Sequence, residues 1–285
     1  MIVATTNFSL QRAASPEDFW RRFRVLTEQA RDRGAEIVLF PEYFSLSWVL
    51  AEGGRFGDRL FACADLEARF IEEARRAAAE FRLGVIAGTV PHVVSREEIR
   101  NRCWICLPGR EPFCQDKVHM TRFETEEWKI TGGAPELRVF HHAGAKCAVA
   151  VCYDVEFPSY GAAAANAGVD VLFVPSCTDD VHGYWRVRHC AEARAIENQC
   201  FVVMSSIVEG DPRYPEVGAH YGRACVLSPC DVGFPDNGVL AEARANAEDV
   251  VEARLELRAL QEIRRNGTVL NLRDSRNTSP VTWKE

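Results

Sequence analysis

The chain has 285 residues, of which 47% are hydrophobic and 26% charged, and a formal net charge of −7. That balance belongs to a globular protein with a sizeable core, and the acidic surplus argues against nucleic-acid or anionic-membrane partners, which want a basic surface. No apolar run approaches the roughly 18 residues that span a bilayer, and Met1–Ile2–Val3–Ala4 lacks the layout of a signal peptide, so a cytoplasmic protein is expected.

Ile2–Ser9 reads as the first strand. Ser15–Pro16–Glu17 then supplies an N-cap, a proline at the first helical position and an acidic first turn. Phe19, Phe23 and Leu26 recur at helical spacing until Gly34 stops the helix. The basic stretch Arg21–Arg24 is broken by Phe23 and reads as a solvated helix face. Ile37–Phe40 is a short buried strand that ends at Pro41–Glu42, and a helix over Leu66–Phe81 leads into the strand Leu83–Thr89. Asn101–Leu107 and a segment near Pro112–Cys114 form a hairpin around Pro108–Gly109. Leu137–Phe140 pairs with Cys147–Cys152 across a loop containing Gly144. A helix from Pro158 to about Ala167, the strand Val169–Pro175, the helix Gly183–Asn198 and the strand Phe201–Ser205 follow. Two late strands, Gly222–Leu227 and Val250–Leu257, bracket a loop rich in Pro, Gly and Asp. With no linker, repeat or low-complexity tract, the expectation is one α/β domain over residues 1–285, with helices covering layers of sheet. Residues 264–285 show no clear period and are expected to be a tail that wraps a neighbouring surface, such as that of a partner subunit.

Three potentially reactive residues follow three of these strands: Glu42, Lys117 and Cys152. In open α/β sheets, reactive groups gather beyond the carboxyl ends of strands. Each is ambiguous alone, because an acid after proline is usually a loop residue, a lysine is usually on the surface and a buried cysteine is usually core. Their contexts shift that balance. Phe40–Pro41–Glu42–Tyr43 sets a carboxylate between large apolar groups, where desolvation raises its pKa. Val149–Ala150–Val151–Cys152–Tyr153–Asp154 ends an apolar strand on a thiol.

The segments Phe40–Pro41–Glu42, Lys117–Val118–His119–Met120 and Cys152–Tyr153–Asp154–Val155–Glu156–Phe157–Pro158 resemble, in order and spacing, the signatures of the nitrilase, or carbon–nitrogen hydrolase, superfamily. Arg194–Ala195–Ile196–Glu197–Asn198 resembles a helix end common there. The stretch from Lys117 to Glu124, with Trp128, Gly132–Gly133, Ser176–Cys177–Thr178–Asp179 and Gly183–Tyr184–Trp185–Arg186, resembles a bacterial branch often called Rim1-like. The resemblance implies a four-layer α-β-β-α sandwich and a homodimer or higher homo-oligomer, paired through the helices starting near Pro158 and Gly183. It also implies hydrolysis of a small amide without metal or cofactor. Cys152 would be the nucleophile that forms a thioester, and Glu42 the general base. Lys117, with the backbone N–H of Tyr153, would stabilise the oxyanion. A second glutamate completes such sites. Glu124, seven residues after Lys117, matches best, with Glu126 and Glu127 close by. An N-carbamoyl substrate would use the same machinery, and the rival of another class is a silent scaffold of the same fold.

Other residues carry weaker signals. Cys177 and Trp185 are candidates to line the pocket, and each has a packing alternative. His119 is expected to orient the Lys117 turn, not to act as a base. Cys103–Trp104–Ile105–Cys106 has metal-knuckle spacing but no further ligands placed to complete a zinc site. The eleven cysteines are scattered through strand-like runs and read as reduced and mostly buried.

Overall fold

The computed structural model describes residues 1–10, 15–51, 62–210, 219–277 and 282–284. In chain order its elements are β1 (Ile2–Ser9), α1 (Pro16–Asp32), β2 (Ile37–Leu39), α2 (Leu46–Ala51), α3 (Ala62–Phe81), β3 (Gly84–Val93), β4 (Ile99–Cys106), β5 (Phe113–Asp116) and α4 (Arg122–Glu126). Then come β6 (Val139–His142), β7 (Ala145–Val149), a 3₁₀ turn (Cys152–Glu156), α5 (Pro158–Asn166), β8 (Val171–Ser176), α6 (Val181–Glu197) and β9 (Phe201–Val208). The chain closes with β10 (Cys225–Leu227), β11 (Val239–Glu242), β12 (Asp249–Arg254), α7 (Leu257–Asn266) and α8 (Asn271–Asn277).

The strands form one hydrogen-bonded path, β5-β4-β3-β2-β1-β9-β8-β7-β6. β12 adds to β1, and β10 with β11 adds to β9. β1 and β9 pair only through Asn7–Ser9 and Ser206–Val208, so the path folds over at this seam. Alternation along the strands shows the consequence, because successive side chains face opposite sides. Val3, Ile37, Leu39, Ile86 and Ile105 join Cys147, Val149, Phe173 and Val203 in one core between the two halves. Their neighbours Ala4, Val38, Phe40, Val85 and Ala87 face the other way, against Phe19, Phe23 and Leu26 of α1 and Ala74 and Ala78 of α3. Tyr160, Val187 and Ala191 of α5 and α6 cover the second half. The result is a helix–sheet–sheet–helix sandwich whose two sheets share a seam. Cys103 and Cys106, three residues apart on β4, lie in these two different cores and so cannot share a metal.

Several sequence expectations shift. Arg22 is buried, bonding the Ser9 carbonyl and Glu248, so the basic stretch is not wholly solvated. The Pro/Gly/Asp-rich loop contains β11, which pairs with β10. Residues 264–272 make contacts within their own chain. Leu260 and Ile263 bury one face of α7. Arg264 bridges to Asp170 at 2.6 Å and bonds the Val169 and Gln199 carbonyls at 2.8 Å. The Gln199 side chain in turn binds Val269 and Leu272. Polar anchoring of this kind leaves no hydrophobic period to read.

Gly88 lies at an irregularity in the β3–β4 register and has φ +55°. A Cβ there would stand 2.0 Å from the Pro41 carbonyl oxygen, a backbone atom that cannot swing away. This close approach lets Thr89 hold the turn after β2: its Oγ1 accepts the Tyr43 N–H at 2.9 Å and its carbonyl accepts Ser45 Oγ at 3.0 Å. Gly88→Ala is expected to lower unfolding stability by about 2 kcal/mol or more through backbone strain and collision, measured by urea denaturation. A wild-type midpoint would contradict this account of the turn.

Candidate active site

The carboxyl ends of β2, β5, β7 and β8 converge on one buried cluster. Glu42 follows β2, Lys117 follows β5, Cys152 opens the 3₁₀ turn after β7, and Cys177 follows β8. Relative exposure is 1% for Glu42 and Lys117, 3% for Glu124 and 4% for Cys152. Lys117 Nζ donates to Glu42 Oε1 at 2.8 Å and to Glu124 Oε2 at 2.6 Å. Cys152 and Glu42 lie close enough for each to perturb the other's ionisation, and Cys152 Sγ lies 3.7 Å from the Cys177 carbonyl oxygen. The Cys177 N–H donates to Glu42 Oε2 at 3.0 Å.

Glu124 is turned into the cluster by local helix chemistry. Thr121 is the N-cap of α4 and Glu124 its third residue, and the two form a reciprocal capping box. Glu124 Oε2 accepts the Thr121 N–H and hydroxyl, each at 2.9 Å. That geometry turns Glu124 inward, whereas Glu126 and Glu127 are exposed. The Thr-x-x-Glu spacing is a known sequence signal for the start of a helix and distinguishes Glu124 from its neighbours.

Two participants carried no sequence signal. Tyr43, held at φ +54° after β2, donates its hydroxyl to Glu124 Oε1 at 2.7 Å. Asn101 on β4 donates Nδ2 to Glu42 Oε1 at 2.8 Å and to Glu124 Oε1 at 3.1 Å. Neither position stands out by spacing, because only the folded register of β4 brings Asn101 beside the β2 turn.

The charges explain the protonation states. Burial raises the Glu42 carboxyl to about 7; Lys117 opposes this and Glu124 adds to it. Burial also pushes Glu124 upward, but Lys117, Thr121 and Tyr43 outweigh it and hold Glu124 below the usual carboxylate range. Burial works against a charged Lys117, yet Glu124 and Glu42 more than compensate, so it stays cationic. The Cys152 thiol is pushed well up, first by burial and then by Glu42. The resting arrangement is therefore a neutral thiol beside a carboxylate able to take its proton, with an ammonium in place.

The Cys152 turn is braced from two sides. Cys152 adopts φ +47°, a conformation unfavourable for a residue with a side chain. Asp154, fully buried, accepts Val118 N at 3.1 Å and His119 N and Nδ1 at 2.8 Å each. His119 thus ties the Lys117 segment to the Cys152 turn, and its ring stacks on Phe157 at 3.6 Å. Arg194 of α6 donates Nε to the Val155 carbonyl at 3.1 Å from the other side. Gly132 and Gly133 pass so close to the Lys117 segment that a Cβ would meet the Val118 carbonyl oxygen at 2.4 Å or Asp116 Cβ at 2.5 Å.

The remaining candidates separate. The Tyr153 N–H is among the first amides of the 3₁₀ turn, which lack an acceptor within their own helix. Cys177 meets the cluster through its backbone, while its Sγ lies 3.6 Å from Nδ1 of buried His220. Trp185 is 42% exposed on α6 and packs on Tyr184 and His189.

Residues 3–265 match the carbon–nitrogen hydrolase family model. A probable hydrolase of Bacillus subtilis, YhcX, is 30% identical over 276 residues, covering 96% of this chain and 53% of that protein, so the chain spans about half the relative's length. A deaminated glutathione amidase of Synechocystis is 28% identical over 83% of this chain and 89% of its own. A nitrilase-superfamily amidase from Nesterenkonia AN1 shares the fold with a TM-score of 0.75 at 20% identity, covering 92% of this chain and 94% of that one. Among the described residues, no helix is long and apolar enough to cross a membrane.

Asp154→Ala would leave two backbone N–H groups and the His119 ring without their acceptor. The expected loss is about 2–4 kcal/mol of stability, seen as a lowered urea midpoint together with a marked fall in Cys152 reactivity. Retention of both would show that the bridge between the two segments is dispensable.

Proposed function

Because the chain belongs to the carbon–nitrogen hydrolase family, we propose that it is an amidase-type hydrolase that cleaves the C–N bond of a small linear amide through a Cys152 thioester. The observation that carries this reading is the buried contact of Glu42, Lys117 and Cys152, brought together from three separate strand ends.

Amides are poor electrophiles with a poor leaving group. As Cys152 Sγ attacks the carbonyl carbon, its proton passes to Glu42, which then delivers it to the departing nitrogen. Ammonia or an amine leaves and the acyl group remains on sulfur. Water, deprotonated by the same carboxylate, attacks the thioester, and the thiol regains its proton as the acid departs. Lys117 has three N–H donors and spends two on Glu42 and Glu124. The third serves the oxyanion, with the Tyr153 N–H as its companion. Removing one donor of this kind typically costs about a hundred- to a thousandfold in rate.

Association as a homodimer is part of the proposal. Val181, Trp185 and Ile196 are exposed at 39–42% on one face of α6, with His189 and Glu192 between them, a mixed apolar and polar face suited to a second copy. Sedimentation of the wild-type chain is expected to give a dimer, and Trp185→Glu to weaken it. A monomeric wild type at micromolar concentration would rule the interface out.

Cys152→Ala is expected to abolish turnover of every responsive substrate in an amide library while leaving circular dichroism unchanged. For the wild type, kcat/KM should fall on the acid side as Glu42 takes a proton, with a single-proton limb centred near pH 7, since the base works only ionised. Undiminished hydrolysis by Cys152→Ala would refute the mechanism.

A further inference from the structure

We propose that Asn101 is a positioning residue that keeps Glu42 ionised and correctly turned by bridging the two carboxylates of the site. The inference rests on the hydrolase reading above and adds a residue to it. Its Nδ2 reaches Glu42 Oε1 at 2.8 Å and Glu124 Oε1 at 3.1 Å. Its backbone carbonyl accepts the Lys117 N–H at 2.9 Å. One residue of β4 thus touches all three charged members of the cluster.

Three features separate this from ordinary packing. First, the amide orientation is dictated by its neighbours. With its oxygen toward two carboxylate oxygens the group would be repelled, so the NH₂ must face them. Second, among the described residues no donor reaches the buried Asn101 Oδ1. A side chain present only to satisfy the interior would pair both ends, because buried acceptors rarely go without a donor. Third, the two carboxylates carry one more negative charge than Lys117 cancels. A second donor lying between them stabilises the ionised form of each, and hydrogen bonds to the charged form lower a carboxyl pKa.

The groups facing Glu42 come from every surrounding element. They are Lys117 after β5, Glu124 on α4, Cys152 on the 3₁₀ turn, the Cys177 amide after β8, and the Cys103 and Tyr43 side chains. Lys117 is the cation of this set. Asn101, beside the Cys177 backbone amide, is therefore a neutral donor to Glu42 that substitution can remove, and its loss should be felt as a change in Glu42 acidity and not only as lost stability.

The test uses iodoacetamide labelling of Cys152 in the full-length protein, followed against pH by peptide mass spectrometry. It needs no knowledge of the substrate. In this reaction sulfur displaces iodide while Glu42 takes the thiol proton, so the acid limb reports Glu42. Asn101→Leu, similar in shape and without a donor, should move that limb up by about one pH unit, tenfold in acidity. Asn101→Ser, whose hydroxyl can donate one bond, should fall between Leu and wild type. If Asn101→Leu does not fold, the Ser variant carries the comparison, with a smaller upward move expected. A limb that stays at its wild-type position while only the plateau falls would overturn the proposal and leave the hydrolase reading standing. Wild-type Cys152 that labels no faster than the other cysteines at any pH would overturn both.

Discussion

The structure turns on one buried cation held by two buried carboxylates. An isolated charge in an apolar interior costs several kcal/mol, and removing one partner of such a set leaves the others exposed to that penalty. Lys117, Glu42 and Glu124 therefore stabilise one another or none of them stays charged. Each comes from a different element, so β2, β5 and α4 must be docked before the set can form. The local devices around them serve this end. The Thr121 capping box turns Glu124 inward, Gly88 admits the Glu42 turn, and Gly132–Gly133 close over Lys117.

The same set determines the chemistry. Burial first, and then the excess negative charge of the set, disfavours a further anion on Cys152, and the thiol rests protonated. Reactivity is thereby deferred until an electrophile is present to take up the charge that develops on sulfur and oxygen. A free, low-pKa thiolate would be open to any oxidant. In the proposed reaction sulfur and base act as a pair, with proton transfer coupled to attack.

Much of this was legible in the residues. The strand ends at Glu42, Lys117 and Cys152, and their motifs, pointed to the buried cluster, because short apolar runs and turn residues are local signals. The helices α1, α5 and α6 were legible from caps and periodicity. What escaped is non-local. Asn101 and Tyr43 gain their roles from register between β4, β3 and the β2 turn, which no local window contains. Arg22 looked solvated because its partners, Ser9 and Glu248, lie 13 and 226 positions away. The tail looked patternless because arginine and glutamine, not an apolar stripe, secure much of it. Glu124 is the intermediate case, since its capping spacing was in the sequence but became decisive only with the helix start in view.

Asp154 joins two stretches of chain that arrive from different sheets, one bearing the ammonium and the other the sulfur. A carboxylate gripping three donors works like the rivet of a pair of callipers, setting the gap between the jaws. The spacing of ammonium and sulfur is then set by this bridge, so in the proposed reaction a substitution in the surrounding walls can reshape what enters without altering the gap at the pivot.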